Sequence, residues 1–464
     1  MSRHWKALSD SALDWEAQYR AIWPVPSDRR LHACLSTTAV NNIDTIDSFL
    51  RRALWKALWD DKYASMASLC GRRCSKITAY GHKLGVKACK FVGTDVLLTG
   101  GVDRRLIAWR ACDHFSFRGI SSPFAGTVRA VDCDGEVLVT GSSDHRIRIW
   151  HRERDDGDGV EEEDEHGEDA ISSTGATRAR ERTFSPWHPR SDWNNGSFSL
   201  EDYVAFSYSA SEQTAFVHTH HQPFHSHGLS SATFPFGVSS NDDRLVLAGH
   251  GGPVSSVSLL SKSDCFVSGS WDYSVRLWSR WSSASDTPTT IQVVPFGDWV
   301  VDTAFSHATG DVLVASGSAV TVMDAGTGSL RRTDERKHKS ATLDYPVTCI
   351  APSVDGRTVF YAADGKIFGV DLRSGDGTLS ASSSDINRLT GKRERERSLV
   401  TGMALEFPFV AFSLSNGQVG LLNVEDGYSR AICGPGGIAT SVDICEGRVA
   451  AGFDDGSTCV WEFR

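Results

Sequence analysis

Residues 249–278 read GHGGPVSSVSLLSKSDCFVSGSWDYSVRLW. A Gly-His pair leads into an alternating apolar segment, a second apolar run reaches Ser268, a turn carries Asp272, and a third run closes on Trp278. Alternation with period two, interrupted by turn residues, is the pattern of short strands joined by tight turns. Residues 81–109, GHKLGVKACKFVGTDVLLTGGVDRRLIAW, repeat the same order. Asp precedes Trp by six positions in Asp103/Trp109, Asp144/Trp150, Asp272/Trp278 and Asp455/Trp461, and Thr or Ser precedes Asp by four in Thr99/Asp103, Thr140/Asp144 and Ser268/Asp272. Spacing that recurs this strictly marks a repeat architecture in which each copy is one supersecondary unit.

Fainter copies fill the rest of the chain. Residues 311–323 keep the strand–turn–strand rhythm without a Trp; 358–370 carry Asp364 with Val370 in the Trp place; 409–422 carry Asn416 and Leu422; 448–461 restore Asp455 and Trp461 but put Ala451 at the Ser/Thr place. With the three stronger copies this makes seven units, a common closed number for a ring of small sheets. Their edges fall near 74–113, 114–154, 244–286, 287–330, 331–376, 386–430 and 431–464. The pattern resembles the WD-repeat family, and the resemblance implies a seven-bladed, all-β propeller over residues 74–464. It also implies a structural role for His82, Thr99, Asp103, Trp109, Thr140, Asp144, Trp150, His250, Ser268, Asp272, Trp278, Asp455 and Trp461. In such a blade the Asp occupies the turn between two strands, the His bonds to it and onward to the Ser/Thr, and the Trp N–H joins the same hydroxyl. A buried carboxylate is costly unless its hydrogen bonds are filled, so the four residues belong to one network. On this reading His82 and His250 are scaffold histidines rather than catalytic ones.

Composition narrows the function classes. The formal net charge of −10 is matched by a single run, residues 153–169 (ERDDGDGVEEEDEHGED), with eleven acids and one Arg; the rest of the chain is balanced. There is no basic excess to point to nucleic acid. No stretch approaches the ~20 apolar residues of a membrane span, and MSRHWKALSD lacks the apolar run of a secretory signal. The expected location is cytoplasmic and/or nuclear. The eleven Cys are scattered without a CxxC, Cys70 and Cys74 being the nearest pair, so reduced thiols are expected and no metal or cofactor.

Between the second and third units lies an insertion, 155–243, acidic at first and then rich in Ser and His, without sustained periodicity; it is expected to be largely disordered. Its His218, His220, His221, His225 and His227 could meet a transition metal, but no acidic or Cys partner stands at ligand spacing, which favours a polar loop. KRERER (392–397) alternates in sign and reads as a solvated loop rather than a nuclear signal.

Residues 1–73 follow a different rhythm. Trp5, Leu8, Leu13, Trp15, Tyr19 and Trp23, then Ile46, Phe49, Leu50, Leu54, Trp55, Leu58, Trp59 and Tyr63, recur at roughly helical spacing. Packing of such helices on the propeller rim would suffice to explain them. SRHWKALSDSALDWEAQYRAIWP (2–24) also resembles the second half of an F-box, and SFLRRALWKALWDDKY (48–63) resembles the linker helix of plant-type F-box/WD-repeat proteins. The resemblance divides the chain into partial F-box-like helices (1–45), a linker helix (46–73) and the propeller. It implies the substrate receptor of a Skp–cullin–F-box ubiquitin ligase, with Trp5, Leu8, Trp15, Tyr19 and Trp23 adaptor-facing, as the inner face of the partial F-box and its contact with the linker helix. An F-box opens with a Leu-Pro-containing helix, and none precedes residue 2, so adaptor binding is expected to need sequence upstream of Met1.

Three functions compete: this receptor, a WD-repeat scaffold of another assembly, and an enzyme. No nucleophile elbow, phosphate loop or paired-carboxylate site supports the enzyme. For the first two, the protein partner is expected on the propeller's top face at Arg129, Trp271, Trp299, Tyr345 and Asp454, residues placed just before the turn Asp or at the opening of an innermost strand. Trp271 and Trp299 could equally pack against neighbouring loops. The last unit ends three residues after Trp461, so SKITAY (75–80) is expected to pair with Thr458–Trp461 and close the ring.

Overall fold

The computed structural model describes residues 15, 17, 19, 55–56, 58–59, 62, 64, 68–69, 74–111, 116–121, 123–135, 137–152, 205–207, 216–218, 236–237, 246–260, 265–279, 288–325, 328–331, 346–353, 356–372, 377–382, 398–425, 427, 429–434 and 437–463. The chain enters the propeller on β1 (Cys74–Tyr80). Blade 1 follows as β2 (Val86–Val92), β3 (Val96–Gly101), β4 (Leu106–Arg110) and β5 (Ser116–Ile120), and blade 2 begins with β6 (Val128–Cys133), β7 (Val137–Ser142) and β8 (Ile147–Arg152). β9 (Ala205–Ser207) and β10 (Phe216–His218) form an antiparallel pair of their own, while β11 (Phe236–Gly237) and β12 (Val246–Leu247) both pair with β8.

Blade 3 comprises β13 (Val254–Leu260), β14 (Cys265–Ser270), β15 (Ser274–Trp278) and β16 (Thr290–Pro295); blade 4 comprises β17 (Val300–Ser306), β18 (Asp311–Ser316), β19 (Ala319–Asp324) and β20 (Leu330–Arg331). Blade 5 is β21 (Val347–Pro352), β22 (Thr358–Ala363), β23 (Lys366–Asp371) and β24 (Gly377–Ser382), and blade 6 is β25 (Val400–Glu406), β26 (Phe409–Leu414), β27 (Gln418–Asn423) and β28 (Ser429–Cys433). Blade 7 has β29 (Ala439–Cys445), β30 (Arg448–Phe453) and β31 (Ser457–Phe463) as its inner three strands, and β1 is its fourth. All seven residues of β1 pair with β31, from Cys74 opposite Phe463 to Tyr80 opposite Ser457. The closure expected for residues 75–80 is therefore the one found: the N-terminal strand covers an edge that would otherwise expose its N–H and C=O groups.

Two expectations are corrected. The repeat read in sequence is out of phase with the blade by one strand, because the outer strand lies beyond the drawn edges: β5 falls after residue 113, β16 after 286 and β24 after 376. The Asp and Trp anchors sit around the third strand, so they locate the inner three strands and leave the fourth to chain length. The insertion likewise does not separate blades 2 and 3. It lies inside blade 2, between β8 and the strands that complete it, and it holds the paired β9 and β10.

The apolar residues that alternate along the strands fill the spaces between blades. Seven clusters of buried residues among those described each occupy one blade–blade interface; blades 1 and 2, for example, share Leu98, Leu106, Ala108, Val128, Leu138 and Trp150. The cluster between blades 6 and 7 differs, because Trp15, Tyr19, Trp55, Leu58, Trp59 and Leu69 join it. These described N-terminal residues are helical.

Candidate functional site

In blade 3 the four anchor residues form one directed chain. Trp278 Nε1 donates to Ser268 Oγ at 2.9 Å, Ser268 Oγ lies 2.8 Å from His250 Nε2, and His250 Nδ1 lies 2.8 Å from Asp272 Oδ2. The consistent assignment is a neutral imidazole that accepts the Ser268 hydroxyl proton at Nε2 and donates from Nδ1. Asp272 also accepts from Gly251 N, Ser274 N and Ser274 Oγ. Burial alone would raise its pKa, but the bonds from Ser274, His250 and Gly251 outweigh that and bring it down to about 2. Burial lowers the pKa of His250, which keeps it neutral. Blade 1 repeats the chain: Trp109 Nε1 to Thr99 Oγ1 at 2.9 Å, Thr99 Oγ1 to His82 Nε2 at 2.9 Å, His82 Nδ1 to Asp103 Oδ1 at 2.9 Å.

Blade 2 keeps the Trp150-to-Thr140 bond (3.3 Å) but has no histidine. Phe124 fills that volume, tilted against Trp150 with ring centroids 5.9 Å apart, and Arg148 lies over Phe124 at 4.4 Å while donating to Asp144 Oδ2 at 2.8 Å. An arginine thus serves the carboxylate in place of the imidazole. In blade 7 the expected network is absent: Asp455 is exposed and accepts only from Ser457 N and Oγ in its own turn, and Trp461 is held by packing. In the sequence Pro435 and Ala451 stand at the His and Ser/Thr places, so neither an imidazole nor a hydroxyl is available to reach it. The turn itself persists. The residue after the turn Asp or Asn is left-handed in Arg104, His145, Tyr273, Gly417 and Gly456.

The face that carries these turns also carries the openings of the inner strands. In all seven blades the inner strand has a register shift between its first and third residues, which leaves the second residue outside the ladder. Such bulges re-aim a side chain. Three bulge residues are hydroxyls that donate to the first carbonyl of the next inner strand: Ser255 to Val300 O at 2.6 Å, Thr401 to Ala439 O at 2.6 Å and Thr440 to Val86 O. Blades 1 and 2 instead place Lys87 and Arg129 there.

Arg129 lies over the Trp271 ring at 4.2 Å, and Trp271 stacks on Trp299 at 5.7 Å with 23° between the planes. The Arg129 Nε is buried with no hydrogen-bond partner among the described residues, and burial lowers the pKa of the group. Trp299 is 51 % exposed. Three of the expected face residues therefore form one column across blades 2, 3 and 4. Asp454 lies apart in blade 7, where it accepts from Ile438 N at 2.6 Å, and Tyr345 is outside the described residues. Leu84, Tyr273, Leu399 and Ile438, all in the loops and turns of this face, are also large apolar residues left exposed.

The sequence reading missed the carboxylates of the inner strands. Asp132 Oδ2 accepts from Leu259 N at 2.8 Å, Asp302 Oδ2 from Ile350 N at 2.9 Å and Asp443 Oδ2 from Phe91 N at 2.6 Å, each tying a blade to the next. Burial pushes Asp302 up to about 7 despite the bonds it accepts. Lys90 lies 3.3 Å from Asp132, whose charge raises the lysine pKa. Part of the signal was present: VRAVDC and SVDIC each put Asp at the fifth place of the inner strand, where blades 3 to 6 have Ser258, Ala304, Ala351 and Ala404.

On the opposite face the N-terminal helical residues are anchored. Trp15 meets Trp59 and Tyr19 meets Trp55 in tilted ring contacts, both at 5.6 Å, and Lys62 pairs with Glu406 at the end of β25 and, at 3.8 Å, with Glu446 in the turn after β29. Trp15 and Tyr19 were expected to face an adaptor; at 5 % and 2 % exposure they face inward, because the helical residues and the blade 6–7 interface close over them. Trp5, Leu8 and Trp23 lie outside the described residues, as do His220, His221, His225, His227 and residues 392–397; His218 belongs to β10. Among the described residues no group of three or more His, Cys, Asp or Glu is placed to hold a metal, the cysteines are free, and no helix is long and apolar enough to cross a membrane.

The "WD domain, G-beta repeat" family model matches residues 118–151 and 241–279, which hold the inner strands of blades 2 and 3. The chain is a seven-bladed β-propeller with WD40 repeats at those residues. It is similar to the solved WD40 propeller domain of Doa1, with a TM-score of 0.52, 16 % identity, and coverage of 83 % of this chain and 95 % of that one. It is 23 % identical over 430 residues to the F-box/WD-40 repeat-containing protein At5g21040 of Arabidopsis thaliana, covering 88 % of this chain and 62 % of that protein. This similarity supports the resemblance to plant-type F-box/WD-repeat proteins. A Periodic tryptophan protein 2 homolog of Schizosaccharomyces pombe is 30 % identical over 148 residues, 29 % of this chain and 17 % of its own length. A WD40 propeller is typically a non-catalytic scaffold for protein interaction.

Proposed function

We propose that this chain is the substrate receptor of a Skp–cullin–F-box ubiquitin ligase, working in the cytosol and/or nucleus and holding a protein substrate on the face that carries Arg129, Trp271 and Trp299. The observation that supports it best is the division of labour between the two faces. The helical residues are fastened to the far side of blades 6 and 7 by Lys62 and an aromatic cluster, while the near side keeps exposed aromatic and aliphatic residues around the channel mouth. An anchor on one side and an open recognition face on the other suit a protein that bridges a ligase and its substrate, and exposed apolar patches of this kind usually have a partner. The similarity to an F-box/WD-40 protein along most of the chain adds to the reading by analogy.

The test is affinity purification of the natural protein, tagged at its C-terminus, followed by identification of what accompanies it. Recovery of a Skp-type adaptor together with a cullin is the expected result. Their absence, while other proteins are captured through the propeller, would replace the receptor with a scaffold of another assembly.

A further inference from the structure

The column Arg129–Trp271–Trp299 is closed at one end and open at the other. Arg129 covers Trp271, Trp271 covers one side of Trp299, and half of Trp299 faces solvent. Asp298 directly precedes Trp299 and is exposed like it. Its Oδ1 accepts from Trp299 N at 2.7 Å and its carbonyl accepts from Ser316 Oγ at 2.9 Å, so the β18–β19 end of blade 4 holds it in place. Gly317, left-handed at φ +56, leaves room for it: a Cβ there would lie 2.8 Å from Asp298 Oδ2. Asp298 is exposed and makes no ion pair with another described residue.

We propose that Trp299 and Asp298 are the docking point for an arginine side chain of the protein partner. The proposal rests on reading this face as the partner-binding face and names what is bound there. An indole face attracts a cation through its quadrupole, and a guanidinium, being planar and weakly hydrated, can lie on the ring while its edge reaches a carboxylate. A purely apolar guest would cover the Asp298 carboxylate without offering it a hydrogen bond, which disfavours it. An acidic guest would meet that carboxylate directly. The Arg129 charge does not oppose the guest, because two indoles place it more than ~10 Å away, about one Debye length at physiological salt. Stacking on Trp271 also orders Trp299 beforehand, which reduces the entropy lost on binding.

The test uses the full chain labelled with 15N-tryptophan, in which the Trp299 indole signal is identified by its loss in Trp299→Phe. Acetyl-Gly-Arg-Gly-amide, acetyl-Gly-Leu-Gly-amide and acetyl-Gly-Glu-Gly-amide are titrated in turn. The arginine peptide should shift the Trp299 signal saturably, with an affinity that falls by roughly threefold or more in Asp298→Asn and also falls with added salt. No shift with the arginine peptide, an equal shift with the leucine or glutamate peptide, or an affinity unchanged by Asp298→Asn would each overturn the proposal. The Trp271 signal reports whether the column survives the substitutions. Adaptor and cullin recovery is measured separately, so the docking point and the receptor assignment can fail independently.

Discussion

Blades 3 and 7 reach the same four-stranded form by different physics. Blade 3 is self-contained: Trp278, Ser268, His250 and Asp272 come from within 29 residues of one another and satisfy one another in a single chain of hydrogen bonds. Blade 7 has no such chain. It gains its outer strand from residues 74–80, at the other end of the propeller, and its packing from a cluster that recruits Trp15, Tyr19, Trp55 and Trp59. One blade is specified by local polar geometry and the other by long-range burial and strand pairing. Cooperativity of the ring should therefore depend far more on the second.

The largest effect is expected at the closure. Alternate residues of a strand present their N–H groups to opposite sides, so a double substitution Ile77→Pro/Thr78→Pro must remove one donor that faces β31. A proline there removes a ladder bond, which leaves its partner carbonyl unsatisfied at a cost of about 1–3 kcal/mol, and here the lost strand also opens the ring. The control is Gln292→Pro/Val293→Pro in β16, the outer strand of blade 3, which closes nothing. Thermal unfolding should show the β1 variant losing much more than the β16 variant; equal losses would show that closure by β1 contributes nothing beyond an ordinary edge strand.

A smaller difference is expected between the two turn aspartates. Asp272→Ala leaves His250 Nδ1, Gly251 N and the Ser274 donors short of an acceptor, a loss on the order of 1–3 kcal/mol. Asp455→Ala removes only the local bonds to Ser457, in an exposed turn, and should stay within about 0.5 kcal/mol. Denaturant unfolding of the two variants measures both. An Asp455→Ala variant as damaged as Asp272→Ala would mean that blade 7 relies on its turn after all.

The same contrast explains what the sequence made legible. Blade 3 could be read almost completely because its stabilising groups are polar, few and fixed in spacing; Asp272 and Trp278 announce the turn and the third strand. Blade 7 could be placed, from Asp455 and Trp461, but not understood, since Pro435 and Ala451 had removed the partners and burial against Trp59 leaves no local signature. Blade 2 lay between: its Asp144–Trp150 spacing was correct, yet the exchange of histidine for Phe124 with Arg148 is visible only when the side chains meet. The outer strands escaped because they carry no anchor residue, and after β8 the chain runs through 155–243 before returning. Arg129, Trp271 and Trp299 were singled out by their positions in the repeat, but their union in one column depends on the bulge that aims Arg129 sideways. The apolar spacing of Trp15 and Tyr19 allowed a contact with the linker helix, but it could not say that blades 6 and 7 would close over them.

The smallest and most specific prediction concerns protons. In Asp272→Asn the side chain keeps its shape but loses the charge that His250, Ser274 and Gly251 bond to. The native carboxyl is held at about 2, below the range near 4 of an unfolded aspartate. A folded-state pKa below the unfolded one means that the unfolded chain binds the proton first as the solution is acidified. The stability from this charge is therefore fully present above about pH 4–5 and is lost as pH falls toward about 2. The difference in unfolding free energy between native protein and Asp272→Asn should be near its maximum from pH 5 to 8, roughly 1 kcal/mol for the bonds concerned. It should then shrink steadily as acid is added. Asp455→Asn, measured alongside, should differ little from the native protein across that range, since its exposed turn bonds hold no histidine. A gap for Asp272→Asn that stayed constant from neutral pH down to pH 3 would show that the charge is irrelevant and that blade 3 is held, like blade 7, by packing.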